Sequence, residues 1–289
     1  MREWKIGCIS DCLQLPFRES MIACSRMGVE GVQIYAVSGE IAPENLTSIQ
    51  KSAIKSLIRG CGLEISAVCG DLGGHGFAVR KDNPRKIERS KRIMELALEL
   101  GTNVITTHIG VIPEDTGCEG YEILLDACSQ LAEYAKGSGA FFAVETGPEP
   151  ASRLKTFLDK LPSDRSGGIG VNMDPANLVM VTGDDPATAV RTLGKYIVHT
   201  HAKDGIMIQK TDPQIIYDFF AEGGIGDLRL GDYFLETPLG QGSVDFTAYL
   251  QALRDIGYKG YLTIEREVGN DPAGDIMLAI GFLSEVTGK

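Results

Sequence analysis

Apolar residues along the chain fall in short runs separated by longer amphipathic stretches. Eight of these runs read as strands: 5–10, 29–35, 64–71, 103–110, 141–147, 169–175, 197–204 and 261–267. Their centres are mostly β-branched or aromatic, and they close in polar residues or glycine. Near-continuous apolar character suits strands covered on both faces, as in a parallel sheet. The stretches between them carry helical spacing. Asn83-Pro84 reads as an N-cap and first turn, Ile87, Met94, Ala97 and Leu98 share a face, and Gly101 closes the segment. Tyr121, Leu124, Leu125, Cys128, Leu131 and Ala135 form a second stripe ended by Gly137. Leu46, Ile49, Ala53 and Leu57 form a third, ended by Gly60 or Gly62. Val244-Asp245-Phe246 opens a helix that turns Phe246, Leu250 and Leu253 inward.

The order is therefore strand then helix, eight times over. Parallel strands need crossover helices, and eight is the number that closes a barrel. An open doubly wound sheet is the competing arrangement, but the first strand-to-helix turn, Ser10 to Leu15, has no G-x-G-x-x-G. The expected fold is one (β/α)8 TIM barrel spanning 1–289, with no linker composition anywhere. One stretch breaks the even spacing. A long insertion, 205–242, follows the seventh strand and carries Ile215-Ile216-Tyr217-Asp218-Phe219-Phe220 and several glycines. A loop of this length is expected to be an active-site lid, with an inert surface hairpin as the bland alternative.

Composition narrows the function classes. With Lys plus Arg at 28 and Asp plus Glu at 39 among 289 residues, the net charge is −11. That field repels phosphate backbones and anionic bilayers, so neither nucleic acid nor membrane is expected as a partner. A homo-oligomer stays open. The seven cysteines, Cys8, Cys12, Cys24, Cys61, Cys69, Cys118 and Cys128, are odd in number and include no C-x-x-C. They read as free thiols in a reducing compartment. No apolar leader follows Met1-Arg2-Glu3-Trp4-Lys5, and no 18-residue apolar window occurs, so the expected location is the cytoplasm.

Barrel sites lie at the C-terminal ends of the strands. The fifth strand ends in Glu145, the sixth in Asp174, the seventh in His201 and the eighth in Glu265. Three carboxylates at one depth repel unless a positive charge lies among them. A divalent cation bound by Glu145, Asp174, His201 and Glu265 is the expected answer. This oxygen-rich shell favours Mn²⁺, Mg²⁺ or Co²⁺, with Zn²⁺ also admitted. His199 shares a strand face with His201, but it lies deeper and reads as a packed neighbour.

At these residues the sequence resembles the sugar-phosphate isomerase and epimerase family with the xylose isomerase-like barrel. The matching pieces are Val144-Glu145-Thr146, Asn172-Met173-Asp174-Pro175-Ala176-Asn177, His199-Thr200-His201-Ala202-Lys203-Asp204, Pro238-Leu239-Gly240-Gln241-Gly242 and Ile264-Glu265-Arg266-Glu267. The resemblance implies one divalent metal, often manganese, on the four side chains named. It implies Glu145 and Glu265 as the catalytic pair that moves a proton beside a carbonyl through a metal-stabilised enediolate. The implied substrate is a small sugar or ketose, with or without phosphate.

His108, His75, Lys203, Glu149 and Asn177 are the secondary, substrate-binding candidates. Lys203 is expected either to neutralise an enolate or to pair with Asp204. The glycine-rich pieces are expected to offer a nest for phosphate. A lyase or dehydratase acting on an inosose-like or keto-sugar substrate would use the same metal shell. A non-catalytic carbohydrate-binding barrel is a third reading. The barrel also resembles the metal-dependent abasic-site endonucleases. However, Asn177 stands where their histidine is expected, and no Asp-x-His follows the seventh strand.

Overall fold

The computed structural model describes residues 3–288. Eight parallel strands close on themselves: β1 (Lys5–Ile9), β2 (Gly31–Tyr35), β3 (Glu64–Cys69), β4 (Val104–Thr107), β5 (Phe141–Glu145), β6 (Gly167–Met173), β7 (Ile197–Ala202) and β8 (Tyr261–Ile264). Each pairs with its sequence neighbour, and β8 returns to β1 with Cys8 opposite Ile264. The (β/α)8 expectation therefore holds. Closure needs room at the narrow N-terminal end. A Cβ on Gly31 would lie 2.5 Å from the Tyr261 ring, so the glycine lets that ring plug the barrel floor.

The crossover helices are α1 (Phe17–Met27), α2 (Ser48–Gly60), α3 (Asn83–Leu100), α4 (Glu119–Ser138), α5 (Ala151–Leu158) and α6 (Pro186–Leu193). The insertion helix α7 (Pro213–Glu222) follows, then α8 (Phe246–Asp255) and α9 (Pro272–Val286). The inward residues of α8, Phe246, Leu250 and Leu253, are buried as the spacing predicts. Three boundary readings change. Gly137 lies inside α4, which ends at Gly139, the glycine that adopts a left-handed φ of 77°. Ile49 is 82% exposed rather than inward, because α2 starts from a Thr47–Gln50 capping box that turns its first residues to solvent. Asn83 does not cap α3; its amide donates to the Phe77 carbonyl instead.

The 205–242 insertion is ordered. Asp204–Met207 pairs antiparallel with Phe234–Thr237, and α7 lies between them in sequence. One buried carboxylate anchors the return. Asp204 Oδ1 accepts the Gly205 and Val244 amides, and its Oδ2 accepts those of Gly240 and Gly242. This is the structural reason that H-x-K-D and P-L-G-x-G occur together. The seven cysteines are free and wholly or partly buried. Among the described residues, no helix is long and apolar enough to cross a membrane.

Candidate active site

Strand ends bring Glu145, Asp174, His201 and Glu265 to one point at the C-terminal rim. One ligating atom from each lies within 4.8 Å of the others, and all four residues are buried. Adjacent strands fix this convergence. Glu145 pairs with Asn172 across β5 and β6, and Thr263 pairs with His201 across β8 and β7. His201 Nδ1 faces the carboxylates, at 3.6 Å from Glu145, 3.5 Å from Asp174 and 3.1 Å from Glu265.

Neighbouring polar groups aim each side chain. Asn172 and Asn177 donate to the two Glu145 oxygens at 3.0 and 3.1 Å. The Asn177 amide N–H donates to Asp174 Oδ1 at 2.9 Å. Gln33 Oε1 and Asn172 Nδ2 each lie 3.1 Å from His201 Nε2, so that nitrogen is engaged by side chains of β2 and β6 while Nδ1 faces the carboxylates. Asp174 Oδ2 and Glu265 Oε2 are buried and accept no well-directed hydrogen bond. Buried, unsatisfied carboxylate oxygens around one imidazole nitrogen fit a divalent cation.

The electrostatics agree with that fit. Burial opposes a charge on His201, yet Glu265 and Glu145 raise its imidazole well above the usual range. The cluster thus demands positive charge at its centre. Burial also pushes Glu265 up, but Lys203 and His201 outweigh it and hold the carboxyl below its ordinary value. Lys203, itself buried, stays charged because Glu265 and Glu267 face it.

A cavity of about 450 Å³ opens above the cluster. His108 and His75 both line it. His108 is held by Asp71, Nδ1 to Oδ2 at 2.9 Å, with its Nε2 3.8 Å from Glu145. Burial would lower its pKa, but Glu145 and Asp71 raise it to about 10. His75 reaches across to the insertion, meeting Glu222 at 2.7 Å and Asp218 at 3.5 Å. Tyr217 of α7 lies over His108 with ring centroids 5.7 Å apart.

Lys203 and Asn177 also line the cavity. Lys203 does not pair with Asp204, whose oxygens are taken by backbone amides; it meets Glu265 at 3.0 Å, Glu267 at 2.5 Å and Glu236 at 3.8 Å. Glu149 stands apart. It is buried outside the cavity lining, and its Oε2 accepts the Ile112 amide. His199 is likewise buried, and its Nε2 has no partner.

Gln33, Asp71, Glu236 and Tyr217 are cavity residues that sequence reasoning missed. The strand-end rule, carried to β2 and β3, points to Tyr35 and to the residues just past Cys69; Gln33 shares a strand face with Tyr35, and Asp71 follows β3 by two residues.

The profile of the xylose isomerase-like TIM barrel family matches residues 21–286, and the chain belongs to that family. Rhizopine catabolism protein MocC of Rhizobium meliloti is 31% identical over 147 residues, which is 50% of this chain and 41% of MocC. The chain spans about half the length of the curated relatives it matches. Among solved structures, a xylose isomerase domain protein from Planctomyces limnophilus superposes with a TM-score of 0.77 at 25% identity, covering 98% of this chain and 96% of that one. A D-psicose 3-epimerase crystallised in the presence of D-fructose shares the fold, with a TM-score of 0.72 at 14% identity over 99% of this chain and 100% of that one.

Proposed function

We propose that the chain is a divalent-metal-dependent isomerase or epimerase of a small sugar or ketose. The observation that carries this reading is the placement of two glutamates. Glu145 on β5 and Glu265 on β8 reach one point from either flank of Asp174 and His201, with β6 and β7 between them. A divalent ion held by these four side chains, Mn²⁺ first among the candidates, would polarise the carbonyl and adjacent hydroxyl of a ketose and acidify the C–H beside them.

Glu145 and Glu265 divide the proton work. One carboxylate accepts the proton from carbon, and the other returns a proton from the opposite flank. Return to the same carbon epimerises, and return to its neighbour isomerises. Lys203 keeps Glu265 ionised for this task. His108, His75 and Asn177 hold substrate hydroxyls from the cavity wall. The segment carrying α7 serves as the lid that excludes water. The fold shared with a D-psicose 3-epimerase and the partial match to a catabolic protein support the reading.

One observation favours a second reading. The Asp71–His108 pair presents Nε2 to the cavity beside Glu145, where a leaving hydroxyl would need a proton. A lyase or dehydratase would begin with the same abstraction and finish through His108.

Incubating the Mn²⁺-loaded chain with a panel of ketoses in deuterated water tests both. Deuterium uptake next to the carbonyl without loss of water is expected. Glu265→Gln should lower that uptake by roughly 10²–10⁴-fold, the usual weight of one proton-transfer group. Full exchange in the variant contradicts the assignment, and loss of water or an aglycone assigns the lyase.

A further inference from the structure

Among the described residues lining the cavity, three side chains can carry positive charge: Lys203, His108 and His75. Each is already closed by the protein's own carboxylates. Lys203 Nζ sits among Glu265, Glu267 and Glu236. His108 lies between Asp71 and Glu145. His75 lies between Asp218 and Glu222. Arg266 stands just behind, and Glu236 and Asp275 occupy its guanidinium. A divalent ion at the rim adds two positive charges, but it faces the three carboxylates Glu145, Asp174 and Glu265.

The amides of Gly240 and Gly242 donate to Asp204, and that of Gly73 donates to Asp71. Gly240 and Gly242 lie outside the cavity lining, and among the described lining glycines Gly73 is the one whose amide donates to an internal carboxylate. Beyond hydrogen bonds from these carboxylate-paired groups, what the cavity leaves for a ligand is neutral. Gln33 and Asn177 supply amides, and Val79, Met180, Val181 and Phe234 supply apolar wall.

Resting on the enzymatic reading above, we propose that this site takes an electrically neutral polyhydroxy carbonyl compound and turns away phosphate esters and carboxylic acids. The physical cause is repulsion without compensation. An anion entering here meets carboxylates that no unpaired cation among the described lining residues offsets, so it must leave its hydration shell for little matching charge. Selectivity of this kind comes from an introduced repulsion as much as from favourable contacts. Glu267 is the group that decides it at the Lys203 end. It is the outermost of the lysine's partners, with a side chain 54% exposed against 5% and 6% for Glu236 and Glu265.

Inorganic phosphate, titrated into the Mn²⁺-loaded chain and followed by ³¹P line broadening from the bound ion, reads the charge rule without knowledge of the sugar. The wild-type chain is expected to give no saturable broadening at millimolar phosphate. Glu267→Gln, which uncovers Lys203, is expected to raise the broadening at least about fivefold. Saturable phosphate binding by the wild-type chain, or no change in the variant, overturns the proposal. Isotope exchange with neutral ketoses reads the enzymatic assignment by itself, so the failure of either is seen separately.

Discussion

Gln33 Oε1 lies 3.1 Å from His201 Nε2, on the side of the ring away from the Nδ1 that faces the carboxylates. A cation bound at Nδ1 requires the imidazole proton on Nε2, where Gln33 is placed to accept it. Outer partners of this kind typically carry 10–100-fold in metal affinity. Gln33→Leu should therefore weaken Mn²⁺ binding by about that factor, measured by calorimetric titration. An affinity within twofold of wild type would show that Gln33 does not orient the ligand.

Gly147 sets how closely the insertion approaches the rim. Its φ of 148° belongs to glycine, and a Cβ there would sit 2.6 Å from the Tyr217 hydroxyl and 2.8 Å from Asn177 Cβ. Gly147→Ala should push α7 outward at a cost of roughly 1–3 kcal/mol, the usual size of such backbone strain. Amide hydrogen exchange over Pro213–Glu222 should then quicken while the four strand-end ligands keep their places. Unchanged exchange would mean that Tyr217 is not held by this close approach.

Glu149 makes stability depend on pH. Burial raises its carboxyl from 4.5 to about 7, and the Ile112 amide and Arg153 only partly offset this. A raised carboxyl pKa penalises the folded state once the group ionises. The penalty is absent below about pH 4.5, grows from there to pH 7, and is complete above that. It amounts to about 3 kcal/mol at about 1.4 kcal/mol per pH unit. Denaturant unfolding of Glu149→Gln should accordingly show a gain over wild type at pH 8 that vanishes at pH 4. An equal difference at both pH values would refute the linkage.

The strands and the four converging side chains are legible in the sequence because both depend on local rules. Near-continuous apolar runs mark the strands, and the polar residue that closes each of the last four singles out Glu145, Asp174, His201 and Glu265. The surroundings are not local. His75 meets Glu222 at a separation of 147 residues, and the partners of Lys203 come from β8 and the insertion ribbon. No spacing rule joins those segments, and so the sequence leaves Lys203 open between neutralising an enolate and pairing with its neighbour Asp204. Helix ends fail for a related reason. Gly137 and Gly139 look alike in the sequence, and only the backbone conformation at Gly139 marks the end of α4.

Divalent-metal titration of the wild-type chain beside Asp174→Asn tests the central claim most directly. Asp174 Oδ2 is buried without a hydrogen-bond partner, so it is the atom whose role depends most on a bound cation. The wild-type chain should bind one Mn²⁺ per chain and melt at higher temperature with the ion present, as binding to the folded state alone requires. Asp174→Asn should lose most of both effects. A wild-type chain indifferent to divalent ions, or a variant that binds Mn²⁺ as the wild type does, would contradict the metal centre on which the account rests.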